Sequence, residues 1–161
     1  MNDQPVLSEK QEGPTLGEIG LQHFAPYLMN RIMGRYNASL RDDLAKMGLT
    51  TPKMRTLAVL SVIDSLTIGQ LAVYAVVDVS TLSRALDSLE AEGLVRRVPD
   101  PVDSRSTRVS ITVSGRATFE KLWPTMRSSY ERMFAGIGAD ERSAFVSTLQ
   151  KILINIRKHD F

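Results

Sequence analysis

The sequence predicts a mostly helical (α+β) fold with one small β-hairpin and long helices toward both ends of the chain. Three observations lead there. Apolar residues recur at helical spacing through most of the 161 residues. The period switches once, after Gly93, to two short β-like runs. Helical spacing then returns from Thr112 to Phe161. A hydrophobic share of 43% is enough to build a core.

Residues 1–14 are polar, without an apolar period, and are expected to form a mobile tail. From Leu16 the pattern is helical, and Phe24, Leu28, Ile32, Tyr36, Leu40 and Leu44 lie on one face of a long helix. Pro26 belongs in its first turn or at a kink with a shorter upstream helix. Gly48 ends this helix. Thr50 or Thr51 caps the next, with Pro52 in its first turn and Met54, Leu57, Ala58, Leu60 and Val62 as apolar members. Thr67-Ile68-Gly69-Gln70 has the form of a capping box and starts a third helix at Leu71-Ala72. The run from Val76 to Ser80 breaks it. Asp78 then opens a fourth helix, which carries Leu82, Ala85, Leu86 and Leu89 inward and ends at Gly93.

Leu94–Val98 and Thr107–Ile111 read as two strands joined by the turn-rich segment 99–106. Two further helices follow, marked by Leu122, Met126, Tyr130, Met133 and Phe134 and by Phe145, Leu149, Ile152, Leu153 and Ile156. They are separated near Gly136 to Gly138.

Composition narrows the chemistry. Cysteine is absent, which removes disulfides, thiolate metal sites and thiol redox sensing. The two histidines, His23 and His159, leave a metal site dependent on carboxylates, and no metal or cofactor is expected. There is no Gly-rich phosphate loop, G-x-S-x-G elbow or H-E-x-x-H motif, so an enzyme is not expected. No apolar run reaches roughly 18 residues and no secretory signal is read, so the expectation is a cytoplasmic protein with no membrane partner. With a net charge of only +2, any nucleic-acid signal must lie in where the charges sit.

The placement is informative. Three short helices followed by a hairpin is the order of a winged helix-turn-helix, and the short break before Asp78 fits the turn. The second helix of such a pair enters the major groove, so its outer face should be small or hydrogen-bonding. Ser80, Thr81, Ser83, Arg84, Asp87 and Ser88 fall on that face. By composition alone this would be an ordinary solvated surface. The hairpin shifts the balance, because Arg105 stands at its tip and Arg96, Arg97 and Arg108 on its strands, where arginine can enter a minor groove.

These residues also carry a family resemblance. Asp103-Ser104-Arg105, then Arg108 through Ile111-Thr112, resembles the D-x-R-x-x-x-x-x-L-T signature of MarR-family regulators, with Ile111 in place of Leu. Gly48-Leu49-Thr50, Gln70-Leu71-Ala72, Ser80-Thr81-Leu82-Ser83-Arg84, Leu89 through Arg97 and Gly115-Arg116 extend it over roughly Tyr27 to Phe161. The resemblance implies a transcriptional regulator, repressor or activator, that binds double-stranded DNA as a homodimer at a pseudo-palindromic operator. It implies that Ser80, Thr81, Ser83 and Arg84 lie at base edges or nearby phosphates. Arg105 would enter the minor groove, with Asp103 pairing its guanidinium, and Arg108 on the strand is a further candidate DNA contact. Thr50, Lys53 and Arg55 would meet phosphates near a helix start, with a plain solvated surface an equal alternative for the two basic residues. Residues 49–112 would form the DNA-binding region, and 15–48 with 113–161 the helical dimerisation region.

One departure stands out. Val76 occupies the turn where the family often has a small residue, and Val73 and Tyr74 stand where it is usually polar. Family members often bind small aromatic ligands between the dimer helices and the winged region. His23, Tyr27, Arg31 and Tyr36 are the candidates here, although each is individually a more common core or surface residue. A winged-helix module for protein contact is the competing reading, since fold alone does not set function. Its wing would more often be apolar than rich in arginine.

Overall fold

The structure, a computed structural model, describes residues 13–161, so the expected N-terminal tail falls almost wholly outside the described residues. The chain divides into two units, residues 1–38 and 39–161. In the first, helix α1 (Leu16–Ile19) is closed by a capping box. The Thr15 side chain accepts from the Glu18 amide, and the Glu18 carboxylate accepts from the Thr15 amide at 2.7 Å. A 3-10 turn (Leu21–His23) precedes α2 (Ala25–Lys46), which begins in this unit with Pro26 in its first turn and runs on into the second.

The second unit holds the rest of the order: α3 (Thr51–Val62), β1 (Leu66–Thr67), α4 (Ile68–Ala75), α5 (Val79–Ala91), β2 (Val95–Pro99), β3 (Thr107–Ile111), α6 (Val113–Met133) and α7 (Ala139–Ile156). Its helices start where the sequence supplies caps. Thr50, Thr67, Asp78 and Thr112 each accept an amide of the following first turn. The core is built from the inward stripes of α3, α4 and α5, with Leu57, Leu60, Leu71, Leu82, Leu86 and Leu89 fully buried. Each such leucine contributes about 2 kcal/mol over its exposed state. Val95, Val109 and Leu122 close this core from the sheet and from α6.

The sheet has three strands, one more than the hairpin read from the sequence. β3 is central, pairing antiparallel with β2 (Val95↔Ile111 through Pro99↔Thr107) and with β1 (Leu66↔Val109, Thr67↔Arg108). This is a winged helix-turn-helix. The wing is stitched to α6 at its base. The Thr112 amide donates to Leu94 O at 3.0 Å and the Thr112 hydroxyl to Gly93 O at 2.6 Å. Gly115 follows in the first turn of α6, so close to this turn that a β-carbon there would collide with the Leu94 carbonyl oxygen and stand 2.8 Å from Ile111 Cγ1.

The C-terminal helix is of a different kind. None of the 18 residues of α7 is buried, and Phe145, Val146, Leu153, Ile154 and Ile156 are exposed. Beyond it the chain turns so that the ring of Phe161 lies 5.5 Å from that of Tyr74 on α4 and 5.2 Å from that of His159. The apolar Tyr74, unexplained in the sequence, thus packs on the end of the chain. No helix among the described residues is long and apolar enough to cross a membrane.

Candidate nucleic-acid interface

Helices α4 and α5 form the helix-turn-helix, joined by a turn that depends on Val76. This residue adopts φ 53°, ψ 52°, the left-handed region, and is the one non-glycine residue with positive φ among those described. A β-branched side chain is strained there. The turn is held from both sides. The Val77 amide donates to Ala72 O at 3.1 Å, and Arg55 Nη1 on α3 donates to Val76 O at 3.1 Å. Arg55 therefore reaches the turn itself, half-buried, and is not a plain surface residue.

Asp78 opens α5. Its carboxylate accepts the Ser80 hydroxyl at 2.6 Å and the Thr81 amide at 2.8 Å, and these bonds hold its pKa far below the usual carboxylate range. The first-turn serine is thus turned toward the cap. Thr50, Lys53, Thr81 and Arg84 come together around one shallow cleft of about 320 Å³ between the start of α3 and α5. Thr50 uses its side-chain oxygen to cap α3, and Ser83 is half-buried on α5.

Lys53 departs from the solvated-surface alternative. It is only 9% exposed, and its ammonium donates to Glu92 Oε1 at 2.6 Å, an oxygen that also accepts the Ser88 hydroxyl at 2.9 Å. The Lys53 bond, with Ser88 adding to it, holds the Glu92 carboxyl below its ordinary pKa. Lys53 lies beneath the recognition helix because its α3 position faces α5, and its charge is satisfied there.

The wing also differs from expectation in its pairings. Asp103 does not pair with the Arg105 guanidinium. Its carboxylate accepts the Arg105 backbone amide at 3.1 Å and the Ser106 hydroxyl at 3.0 Å, because the chain turns back on Asp103 over the next two or three residues. Arg108 is paired within the chain. Its Nε donates to the buried Asp100 at 2.6 Å and its Nη1 reaches Ser65 O at 3.4 Å, tying β3 to the segment before β1. Asp100, whose carboxylate accepts the Asp103 and Val102 amides as well as Arg108, is held below its usual pKa. Arg97 fastens β2 to α5 through Glu90 at 2.6 Å and Asp87 at 2.8 Å, and its bond lowers the Glu90 pKa.

What remains is selective. Arg84, Arg96 and Arg105 are exposed and form no ion pair with any described residue. Arg84 stands on the outer face of α5, Arg105 at the tip of the wing and Arg96 on β2. Three basic side chains are thus available to an anion, while Lys53, Arg97 and Arg108 brace the elements that carry them.

The four expected ligand-binding residues lie on the 3-10 turn (His23) and on α2 between Tyr27 and Tyr36. Arg31 Nη1 donates to the Tyr27 hydroxyl at 3.3 Å and its guanidinium lies 5.8 Å from that ring. Partial burial raises the Tyr36 pKa. In the second unit a cavity of about 510 Å³ opens between α3 and α6, lined by Ala58, Ser61, Val62, Arg116, Phe119, Glu120, Trp123 and Met126. The aromatic pair Phe119 and Trp123, four apart on α6, was the available sequence signal for it.

Comparison with known proteins agrees with this architecture. Residues 47–106 match the model of the MarR family. A crystal structure of a MarR-family transcriptional regulator from Silicibacter pomeroyi is similar at 58% identity and TM-score 0.87, covering 92% of this chain and all of that one. The transcriptional repressor IacR of Pseudomonas putida is 29% identical over 77% of this chain and 74% of its own length. BpsR of Bordetella bronchiseptica, described with regulation of its DNA binding by 6-hydroxynicotinic acid, is 25% identical with a TM-score of 0.69, covering 80% of this chain and 97% of BpsR. The chain belongs to the MarR family of transcriptional regulators.

Proposed function

We propose that this regulator binds a pseudo-palindromic duplex as a homodimer, with α5 in the major groove and the wing tip at the adjacent minor groove. The observation that carries the reading is the sorting of basic residues. Arg84 and Arg105 are exposed on the two elements that would approach DNA, while neighbouring cations are consumed in bracing those elements. Thr81 and Ser83 flank Arg84 on α5, and Thr50 lies across the cleft. The exposed apolar face of α7 supports dimerisation, since a helix that buries none of its own residues gains little by folding alone. A two-fold dimer would set its two recognition helices about one DNA turn apart, roughly 34 Å. Residues 49–112 then form the reading head, and the terminal helices the dimer.

Binding to a random duplex should weaken steeply with salt. Six to ten phosphate contacts predict a loss of about 10³–10⁵ between roughly 50 and 200 mM. A flat response would favour a protein-contact role for the wing.

The α3–α6 cavity supports a second layer, control by a small planar aromatic ligand. Its walls combine Phe119, Trp123 and Met126 with the polar Ser61, Arg116 and Glu120. Trp123 is the chain's single tryptophan, so titration with 6-hydroxynicotinic acid and with benzoic acid should change its fluorescence if such a ligand enters. Unchanged emission with both, at millimolar concentration, would set these two ligands aside.

A further inference from the structure

The start of the recognition helix is more apolar toward solvent than a polar reading face requires. Val79, its first residue, is 57% exposed, and Val76 in the preceding turn is 76% exposed. Each leaves most of its apolar surface in water, and the inner face of the helix is already filled by Leu82, Ala85, Leu86 and Leu89. The nearby hydroxyl has already committed its proton, because Ser80 donates to Asp78 Oδ1 at 2.6 Å, and keeps only its acceptor lone pairs. Val76 also keeps a branched side chain in a left-handed conformation that glycine would adopt without strain. The first turn of α5 therefore offers a DNA groove an apolar surface, followed five residues later, about one and a half turns on, by Arg84.

The major-groove edge of DNA has one apolar group, the C5 methyl of thymine. We propose that Val79, with Val76 beside the turn, is a specificity-determining residue that packs against thymine methyl groups in each half-site. This rests on the DNA-binding reading above, and it adds the base that the start of the helix prefers. A recognition helix that begins with an apolar contact and continues with Arg84 favours a thymine in the same half-site as the base that Arg84 reads.

The test uses the full chain. Duplexes are selected from a random library by the wild-type protein, and the tightest is remade with each thymine replaced in turn by deoxyuridine, which removes only the methyl. Affinities of the wild type and of Val79→Ala are measured on every version at one salt concentration. The wild type should lose about four-fold at one symmetric pair of thymines for each methyl contact. Val79→Ala should bind the parent duplex more weakly and be insensitive to deoxyuridine at those same positions. A wild type indifferent to every replacement, or a Val79→Ala protein that stays as sensitive as wild type, overturns the thymine contact while leaving DNA binding intact. Failure to select any duplex overturns the DNA-binding reading itself, and this inference with it. A thermal melt of Val79→Ala should match wild type, since the residue is exposed.

Discussion

Lys53 and Glu92 join the first turn of α3 to the end of the recognition helix, with Nζ 2.6 Å from Oε1 and the lysine side chain nearly covered. A basic residue at this position would ordinarily be counted as a DNA contact. The geometry makes it a strut. Lys53→Met, similar in length and apolar, should leave the slope of log affinity against log salt unchanged. Stability should change by less than about 1 kcal/mol, because Glu92 stays hydrated. Arg105→Ala should instead reduce that slope by about one with no change in stability. Both slopes can be read by fluorescence anisotropy on one duplex.

Val76 gives the clearest stability prediction. Its left-handed conformation costs on the order of 1–3 kcal/mol for a residue with a β-branch. Glycine removes that cost but adds about 0.5–1 kcal/mol of unfolded-state entropy. The first effect is the larger, so Val76→Gly should stabilise the protein by about 1 kcal/mol in urea denaturation. A loss of stability would mean that the bonds from Arg55 and Val77 already relax the turn.

Gly115 should be intolerant of the smallest side chain. Its missing β-carbon is what allows α6 to start against the Leu94 carbonyl. The atom in the way is backbone, which cannot swing aside. Gly115→Ala should cost about 3 kcal/mol by overpacking. Gly69→Ala, at a position with open space around it, should be tolerated and serves as the control.

Acid should loosen the helix-turn-helix before neutral pH does anything to it. Asp78, Glu90, Glu92 and Asp100 all have pKa values lowered in the fold, by Ser80, Arg97, Lys53 and the Asp103 amide respectively. A carboxylate with a lowered folded value stabilises fully above its unfolded value, about 4, and loses that contribution as pH falls through the folded one. Unfolding free energy should therefore be flat from about pH 7 to 5 and fall below about pH 4. The Glu90→Gln and Glu92→Gln proteins should show a shallower fall.

Local signals were legible because they act locally. The Thr67–Gln70 capping box, the Asp78 cap and the leucine stripe of α5 need only a few neighbouring residues, and each lies where the spacing put it. Strand β1 was not legible. Two residues carry no period, and Leu66-Thr67 becomes a strand only because β3 lies alongside. Side-chain partners were harder still. Arg108 and Arg105 look alike in sequence, yet Asp100, eight residues before Arg108, captures one and no described carboxylate captures the other. Tyr74 could be flagged as odd, but Phe161, 87 positions away, could not be named as its partner.

The bare face of α7 reaches beyond the structure of a single chain. If a second copy covers α7, as proposed above, the regulator is a sensor of its own abundance. Below the association threshold each copy exposes Phe145, Leu153 and Ile156, and its occupancy of DNA rises with the square of its concentration. Above it, occupancy rises linearly. The control curve of the genes it governs would then bend at a protein dose fixed by how well α7 is covered, so substitutions on that face would move the dose without touching the operator sequence.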